Sequence, residues 1–385
     1  MNILIVAPSW PWPVRKGYQS RALGLASLLT PEHAVTLLAH AGEAAAPREL
    51  PFTVEVARAT GRPRLSALAS GVLGGRPLQQ ALFENRDLER QLRRLVPGLD
   101  RVVLLTSRLS SLAEHVPREA LVVDLVDSLA LNFERRALFD RLPLRPLWRL
   151  EARRLRADER RLVAQSRVAL LVAERDRDHL ARDLSPELAR RLAVVPLVLG
   201  AGPPPPTGGV ATGSPELLLT GNLGYFPTVH GALWLVEKVW PSVRASHPRA
   251  RLILAGSRPA SRLARRAIAS GAELSIEPPS FAADFARAAI AVVPLFAGSG
   301  SPMKLLEAIV AGTPVVATPA AANGTVPAIQ RGLTIAESAG EWISALEVSL
   351  DDPQAARRRA TIARAAALQH HAAPRVRELL LSALG

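Results

Sequence analysis

Apolar and polar positions fall into short apolar runs separated by longer stretches with helical spacing. In order, the runs are NILIVAP, AVTLLAH, FTVEVA, RVVLLT, ALVVDLV, VALLVAE and LAVVPLV. Runs that are continuously apolar, rather than alternating, mark strands buried on both faces. Helices between them predict a parallel sheet covered on each side. The pattern stops at residues 200–215, GAGPPPPTGGVATGSP, which is rich in proline and glycine and carries no charge or periodicity. This stretch reads as a linker, semi-rigid at the prolines and loose at the glycines. The alternation then restarts with ELLLTGN, ARLILAG, AELSIEP, IAVVPLF and TPVVAT, between helical segments such as HGALWLVEKVWPSVRAS. The expected fold class is therefore α/β, with two tandem Rossmann-like parallel-sheet domains facing across a cleft. The expected divisions are a first domain over 1–199, a linker over 200–215, a second domain over 216–365 and a terminal helix over 366–385 that returns to the first domain. No short-period repeat of the solenoid kind interrupts this scheme.

Ligands of open parallel sheets bind beyond the carboxyl ends of the strands, so chemistry is sought just after each apolar run. IAVVPLFAGSGSPMKLLEAIVAG reads as strand, glycine-rich turn and helix. Gly298 and Gly300 allow a sharp turn and a close backbone approach. The helix is expected to start near Ser301 or Pro302, since proline suits the first helical position. Free N–H groups at such a start hold an anion, most naturally a phosphate or diphosphate, and Lys304 adds a full positive charge in the first turn. Glu307, one turn on, can accept hydrogen bonds from hydroxyls, as a ribose requires. Basic turn and acidic helix face together read as a nucleotide diphosphate site; an ordinary turn with an i, i+3 salt bridge is the other reading.

Composition narrows the classes. The chain has 385 residues, 48% of them apolar and 21% charged, as in a soluble globular protein. It contains no cysteine, which excludes disulfides, thiolate metal sites and thiol nucleophiles. MNILIVAPSW reads as a first strand rather than a signal peptide, and no apolar run approaches the roughly 20 residues of a membrane span. The net charge of +14 fits an anionic partner or simply a solvated arginine-rich surface. With 4% aromatic residues and no zinc-finger, RNA-recognition or helix-turn-helix signature, nucleic acid is not expected as a partner. Only Lys16, Lys238 and Lys304 are lysines among 48 basic residues, which singles out Lys304. The eight histidines form no metal-binding pattern, and neither a Walker loop nor a nucleophile elbow occurs. In residues 145–167 Trp148, Leu155 and Leu162 recur at sevens between arginines. They read as a core stripe under a solvated face, or as contact with anionic membrane lipid.

The segment 298–316 resembles the donor-binding motif of glycosyltransferase family 4, whose fold is GT-B. The pattern of the similar subgroup is G-S-G-x-x-x-K-x-L-E-A-x-A-x-G-x-P-V-V, with Val310 here in place of the second alanine. TGNLGYFPTVHGALWLVEKVWP, DLVDSLALNFERRA and EARRLRADERRLV are similar to the same subgroup, which includes exopolysaccharide-assembly transferases similar to PslH. The resemblance implies a retaining transfer from a nucleotide diphosphate sugar to a glycan, lipid-linked or small-molecule acceptor. It implies no cofactor and no metal, and a cytoplasmic location, peripheral at the inner membrane face if lipid is touched. Glu307 matches the second glutamate of the family's E-x7-E motif, and the first falls on Ser299. The family's Arg/Lys pair falls near Asn222 and Thr228, neither of them charged. Neutralisation of the diphosphate is then expected from Lys304 and the helix start, with Arg258 after the strand ARLILAG second.

Gly221, Asn222, Gly298, Ser299, Gly300, Ser301, Pro302, Met303, Lys304, Leu305, Glu307 and Arg258 are the donor-binding candidates in the second domain. In the first domain, Gly17 resembles the glycine loop that approaches the donor, with Lys16 and Arg21 facing an anionic acceptor. Asp127 falls where many members place a functional histidine. With Lys304 and Glu307 it is a catalytic candidate, although Asp127 or Ser128 also suits the cap of the next helix. The alternatives to sugar transfer in glycan assembly are a natural-product transferase acting on a small aglycone, a GT-B epimerase, and a non-catalytic basic nucleic-acid- or lipid-binding protein on the same scaffold.

Overall fold

The computed structural model describes residues 1–14, 16–42, 45–58, 74–200, 214–278 and 280–385. Most of the stretch expected as a linker, residues 201–213, lies outside the described residues. Two compact units divide the chain. The first comprises Met1–Ala137, Leu142–Val198 and Ala373–Gly385; the second comprises Leu138–Arg141 and Leu199–Ala372.

In the first unit, β1 (Asn2–Val6), β2 (Ala34–His40), β3 (Thr53–Ala57), β4 (Arg101–Leu105), β5 (Leu121–Val126), β6 (Val168–Leu171) and β7 (Leu192–Val194) form one parallel sheet. Their order is β3-β2-β1-β4-β5-β6-β7, so the winding reverses between β1 and β4. The central strands are buried along almost their whole length, as continuous apolar runs require. The helix Ala373–Leu384 buries Val376, Leu380 and Leu384 in this unit, and Arg377 ties it to the Leu28 carbonyl at 3.1 Å and to Glu32 at 2.8 Å. Helix Pro353–His370 runs unbroken through residue 366 and buries Ala363 and Ala367 in the second unit, so the division falls at Ala372–Ala373.

In the second unit, β8 (Glu216–Asn222), β9 (Arg251–Ser257), β10 (Glu273–Ile276), β11 (Ile290–Val293), β12 (Val315–Ala317) and β13 (Thr334–Ile335) are parallel in the order β10-β9-β8-β11-β12-β13. Here the winding reverses between β8 and β11. Both sheets are doubly wound, and each has a crevice at its reversal point where ligands bind. The helix after β8 spans Phe226–Trp234, widens into a π-turn over Leu235–Val239 and continues as Trp240–Ser246. Pro241 has no N–H to continue an α ladder, which accounts for the widened turn just before it.

One polar contact is built into the first core. Arg21, from the helix Gly17–Leu29, meets Asp124 of β5 at 2.7 Å, and both side chains are buried. Arg21 also donates to the Pro196 carbonyl at 2.8 Å, and Asp124 accepts from the Val126 N–H at 2.9 Å. Arg21 is therefore not turned toward an acceptor: it serves the core. Removing one partner strands a buried charge, so Asp124→Asn should cost about 3–5 kcal/mol. Guanidinium unfolding measures this; an unchanged midpoint would show that the pair carries no such weight.

Candidate active site

The carboxyl ends of β8 and β11 flank the reversal point of the second sheet, and each leads into a helix. β8 ends in Gly221 and Asn222. Asn222 Oδ1 accepts from the Gly224 N–H at 2.9 Å and closes the turn into Phe226–Trp234. β11 leads through the turn of Gly298 and Gly300, with φ of 121° and 65°, into Met303–Val310. Those dihedrals demand glycine, as the turn pattern predicts. Pro302 is the N-cap rather than the first helical residue, and neither this helix nor Phe226–Trp234 has a side-chain cap. Two helix N-termini, with their positive dipole ends, thus meet at one sheet edge.

Lys304 lies between them. Its Nζ donates to Thr228 Oγ1 at 2.9 Å, in the first turn of the facing helix. Gly221 near the end of β8 has a φ of 125°, which favours glycine, and a Cβ there would stand 2.9 Å from the same nitrogen and press on it. Burial pushes the Lys304 ammonium down to about 8, against a smaller raising effect from Glu307. Burial likewise pushes the Glu307 carboxyl up to about 7, offset in part by Lys304. The two influence each other through space, yet they form no ion pair: Lys304 reaches across to Thr228 on the helix after β8 instead. The i, i+3 salt bridge is therefore not what the structure shows.

The remaining candidates sort by geometry. Ser301 Oγ donates to the Gly324 carbonyl and holds the turn against that loop. Ser299 and Met303 are partly exposed beside it. Leu305 is fully buried in the core cluster with Leu218, Phe285 and Ile309, so its side chain faces the apolar sheet. Arg258 is exposed directly after β9, with φ of 52°. β8 and β9 are in register there, with Asn222 opposite Ser257. The sequence pattern did not reveal the aromatic group on the helix after β8. His230 stands 5.9 Å from Phe226 and 5.6 Å from Phe296, and Trp234 stands 4.9 Å from Phe296. The spacing of Phe226, His230 and Trp234 at fours was the available signal.

In the first unit, β5 ends in Val126 with φ of 65°, a strained position for a β-branched residue. Asp127 follows, partly exposed. Ser128 Oγ caps the helix Leu129–Phe139 through the Leu131 N–H at 3.1 Å and shares a 2.8 Å hydrogen bond with Glu159. Capping is thus the role of Ser128. Glu159 was not visible as a site neighbour in the sequence. Burial pushes its carboxyl up to about 8, offset by hydrogen bonds from Ala130 and Ser128, with Asp127 and Asp176 raising it further. Gly17 opens the helix after β1, and Lys16 beside it donates to the Tyr18 hydroxyl at 3.1 Å. The stripe of Trp148, Leu155 and Leu162 is core: Leu155 and Leu162 are buried, and Trp148 packs on Phe133 at 5.6 Å.

Comparison with known proteins bears on the second unit first. Residues 214–352 match the family of glycosyl transferases group 1. This match to the group 1 glycosyl transferases contains the β8 end, Arg258 and the whole 298–307 turn. No curated protein matches the chain in sequence. Among solved structures, Anabaena HepE in complex with UDP and glucose superposes with a TM-score of 0.68 at 14% identity, over 100% of this chain and 99% of its own. The sucrose-phosphate synthase of Thermosynechococcus elongatus gives 0.73 at 14% identity, over 99% and 98% of the two chains. An α,α-trehalose-phosphate synthase (UDP-forming) from Burkholderia vietnamiensis gives 0.69 at 13%, over 100% and 99%. The fold is GT-B.

The electrostatics of Glu307 can be checked without substrate. Its carboxyl is raised from 4.5 to about 7, so its ionised form destabilises the folded chain. Stability from this group is fully present below its unfolded value and is lost as pH rises through about 7. Glu307→Gln should therefore melt higher than wild type above that pH, with the advantage vanishing in acid. An advantage independent of pH would contradict the assignment.

Proposed function

We propose that this chain is a glycosyltransferase that takes a sugar from a nucleotide diphosphate sugar and places it on an acceptor hydroxyl. In the reaction the bond from the anomeric carbon to the diphosphate oxygen breaks. A bond to the acceptor oxygen forms, and the acceptor loses its proton. The leaving diphosphate gains charge as it departs. A preorganised positive site placed where that charge develops lowers the barrier most. The observation that carries this reading is the Lys304 ammonium held between Gly221 and Thr228, where two uncapped helix N-termini meet. Thr228 is the position at which the resemblance leads one to look for a cation. Lys304 brings a cation to that hydroxyl from another element and so serves in its place.

Glu307 is assigned to the ribose hydroxyls, and Arg258 to the outer side of the diphosphate. Asp127, at the carboxyl end of β5, is assigned to a sugar hydroxyl. The family match and the UDP-bound Anabaena protein make a UDP-sugar the first donor to test. The subgroup resemblance supports retention of configuration, membership of family 4 and a place in exopolysaccharide assembly.

A thermal-shift screen against UDP-, GDP- and dTDP-sugars tests donor binding, since a true donor stabilises in proportion to RT ln(1 + [L]/Kd). No shift with any of them would remove the reading. Donor affinity should peak between about 7 and about 8, where Glu307 is ionised and Lys304 still protonated. Glu307→Gln should flatten the acid limb and Lys304→Met the basic limb. With an active donor in hand, Lys304→Met should lower kcat on the order of 10²-fold, with a smaller effect on donor binding. Near-wild-type turnover would move the charge assignment to Arg258.

A further inference from the structure

The start of the long helix Arg145–Gln165 and the turn before it present leucine to solvent. In LPLRPLWRL, residues 142–150, Leu142, Leu144, Leu147 and Leu150 are 73%, 38%, 41% and 43% exposed. Trp148 is the apolar residue of this stretch that turns inward, against Phe133. Pro143 and Pro146 are exposed as well. These leucines are distinct from the buried stripe at Leu155 and Leu162, so they are not needed for the core.

The charges of the same helix are segregated. Its acids point inward: Glu151 accepts from the Leu78 and Gln79 N–H groups at 2.9 and 3.0 Å, Asp158 is buried against Arg161, and Glu159 is buried against Ser128. Arg149, Arg153 and Arg160 are exposed, and none of them forms an ion pair with an acid among the described residues. Arg149 and Arg153 lie four apart, on helical surface adjoining Leu147 and Leu150. Exposed leucines beside an arginine face without acids have the composition of a helix that lies in a lipid interface.

We propose that this face, Leu142, Leu144, Leu147 and Leu150 with Arg149, Arg153 and Arg160, seats on an anionic lipid bilayer. The leucines enter the headgroup layer and the guanidinium groups pair with lipid phosphates. Charge complementarity selects lipid over a second copy of the chain, because two such basic faces repel each other.

Vesicle flotation tests this with the whole protein, using neutral phosphatidylcholine vesicles and vesicles that also contain phosphatidylglycerol. The variants are Leu147→Ser with Leu150→Ser, and Arg149→Glu with Arg153→Glu. The pair Arg265→Glu with Arg358→Glu, exposed in the second unit, makes the same change in net charge elsewhere. Wild type should float with the anionic vesicles and release as salt rises. Each variant pair in the face should lower the partition coefficient about tenfold, and the distant pair by less than about twofold. Equal loss from the distant pair would overturn the proposal in favour of diffuse charge. Unchanged flotation of the leucine pair would also overturn it. So would a wild-type dimer, seen by light scattering, that the leucine pair splits while vesicle binding stays the same.

Discussion

Parallel pairing is the constraint from which the site follows. When β8, β9 and β11 run the same way, their carboxyl ends share one edge, and the helices that return the chain begin there. Each beginning leaves N–H groups without acceptors. The reversal between β8 and β11 separates the two helices at that edge and leaves a crevice into which a side chain can reach. Lys304 fills it, and Gly221 and Thr228 shape the space around the ammonium. Gly256, opposite Gly221 in the ladder, keeps the strands close: a Cβ there would lie 1.7 Å from the Gly221 carbonyl oxygen.

The two units hold their buried charges for different ends. Arg21 and Asp124 pair directly, with the Pro196 carbonyl and the Val126 N–H as further partners, and both side chains are buried away from ligands. Lys304 and Glu307 are not joined in this way. Burial works against the charge of each, and neither charge is neutralised by contact with the other. A site of this kind loses some stability in the empty protein and recovers it when an anion and hydroxyls arrive.

The strands were legible because continuous apolar runs survive in a doubly covered sheet. AVTLLAH and ELLLTGN coincide with β2 and β8 residue for residue. β13 was not found: two residues, Thr334 and Ile335, are too few to show a period. The glycine turn and the helix behind it were legible because their conformations depend on local chemistry. The Lys304–Thr228 contact was not, since 76 residues separate the partners. Arg21 was misplaced for the same reason, its partner lying 103 residues away. Sequence shows which residues could hold charge; packing decides which of them face one another.

The rarity of lysine gives this centre a chemical consequence. An arginine in the place of Lys304 would stay charged at every accessible pH, whereas an amine brought down to about 8 is substantially neutral in mild base. A neutral amine is a nucleophile. Among three lysines in 385 residues, Lys304 combines this lowered basicity with a position between two helix ends. The charge at the centre of this turn is therefore one that mild base can remove.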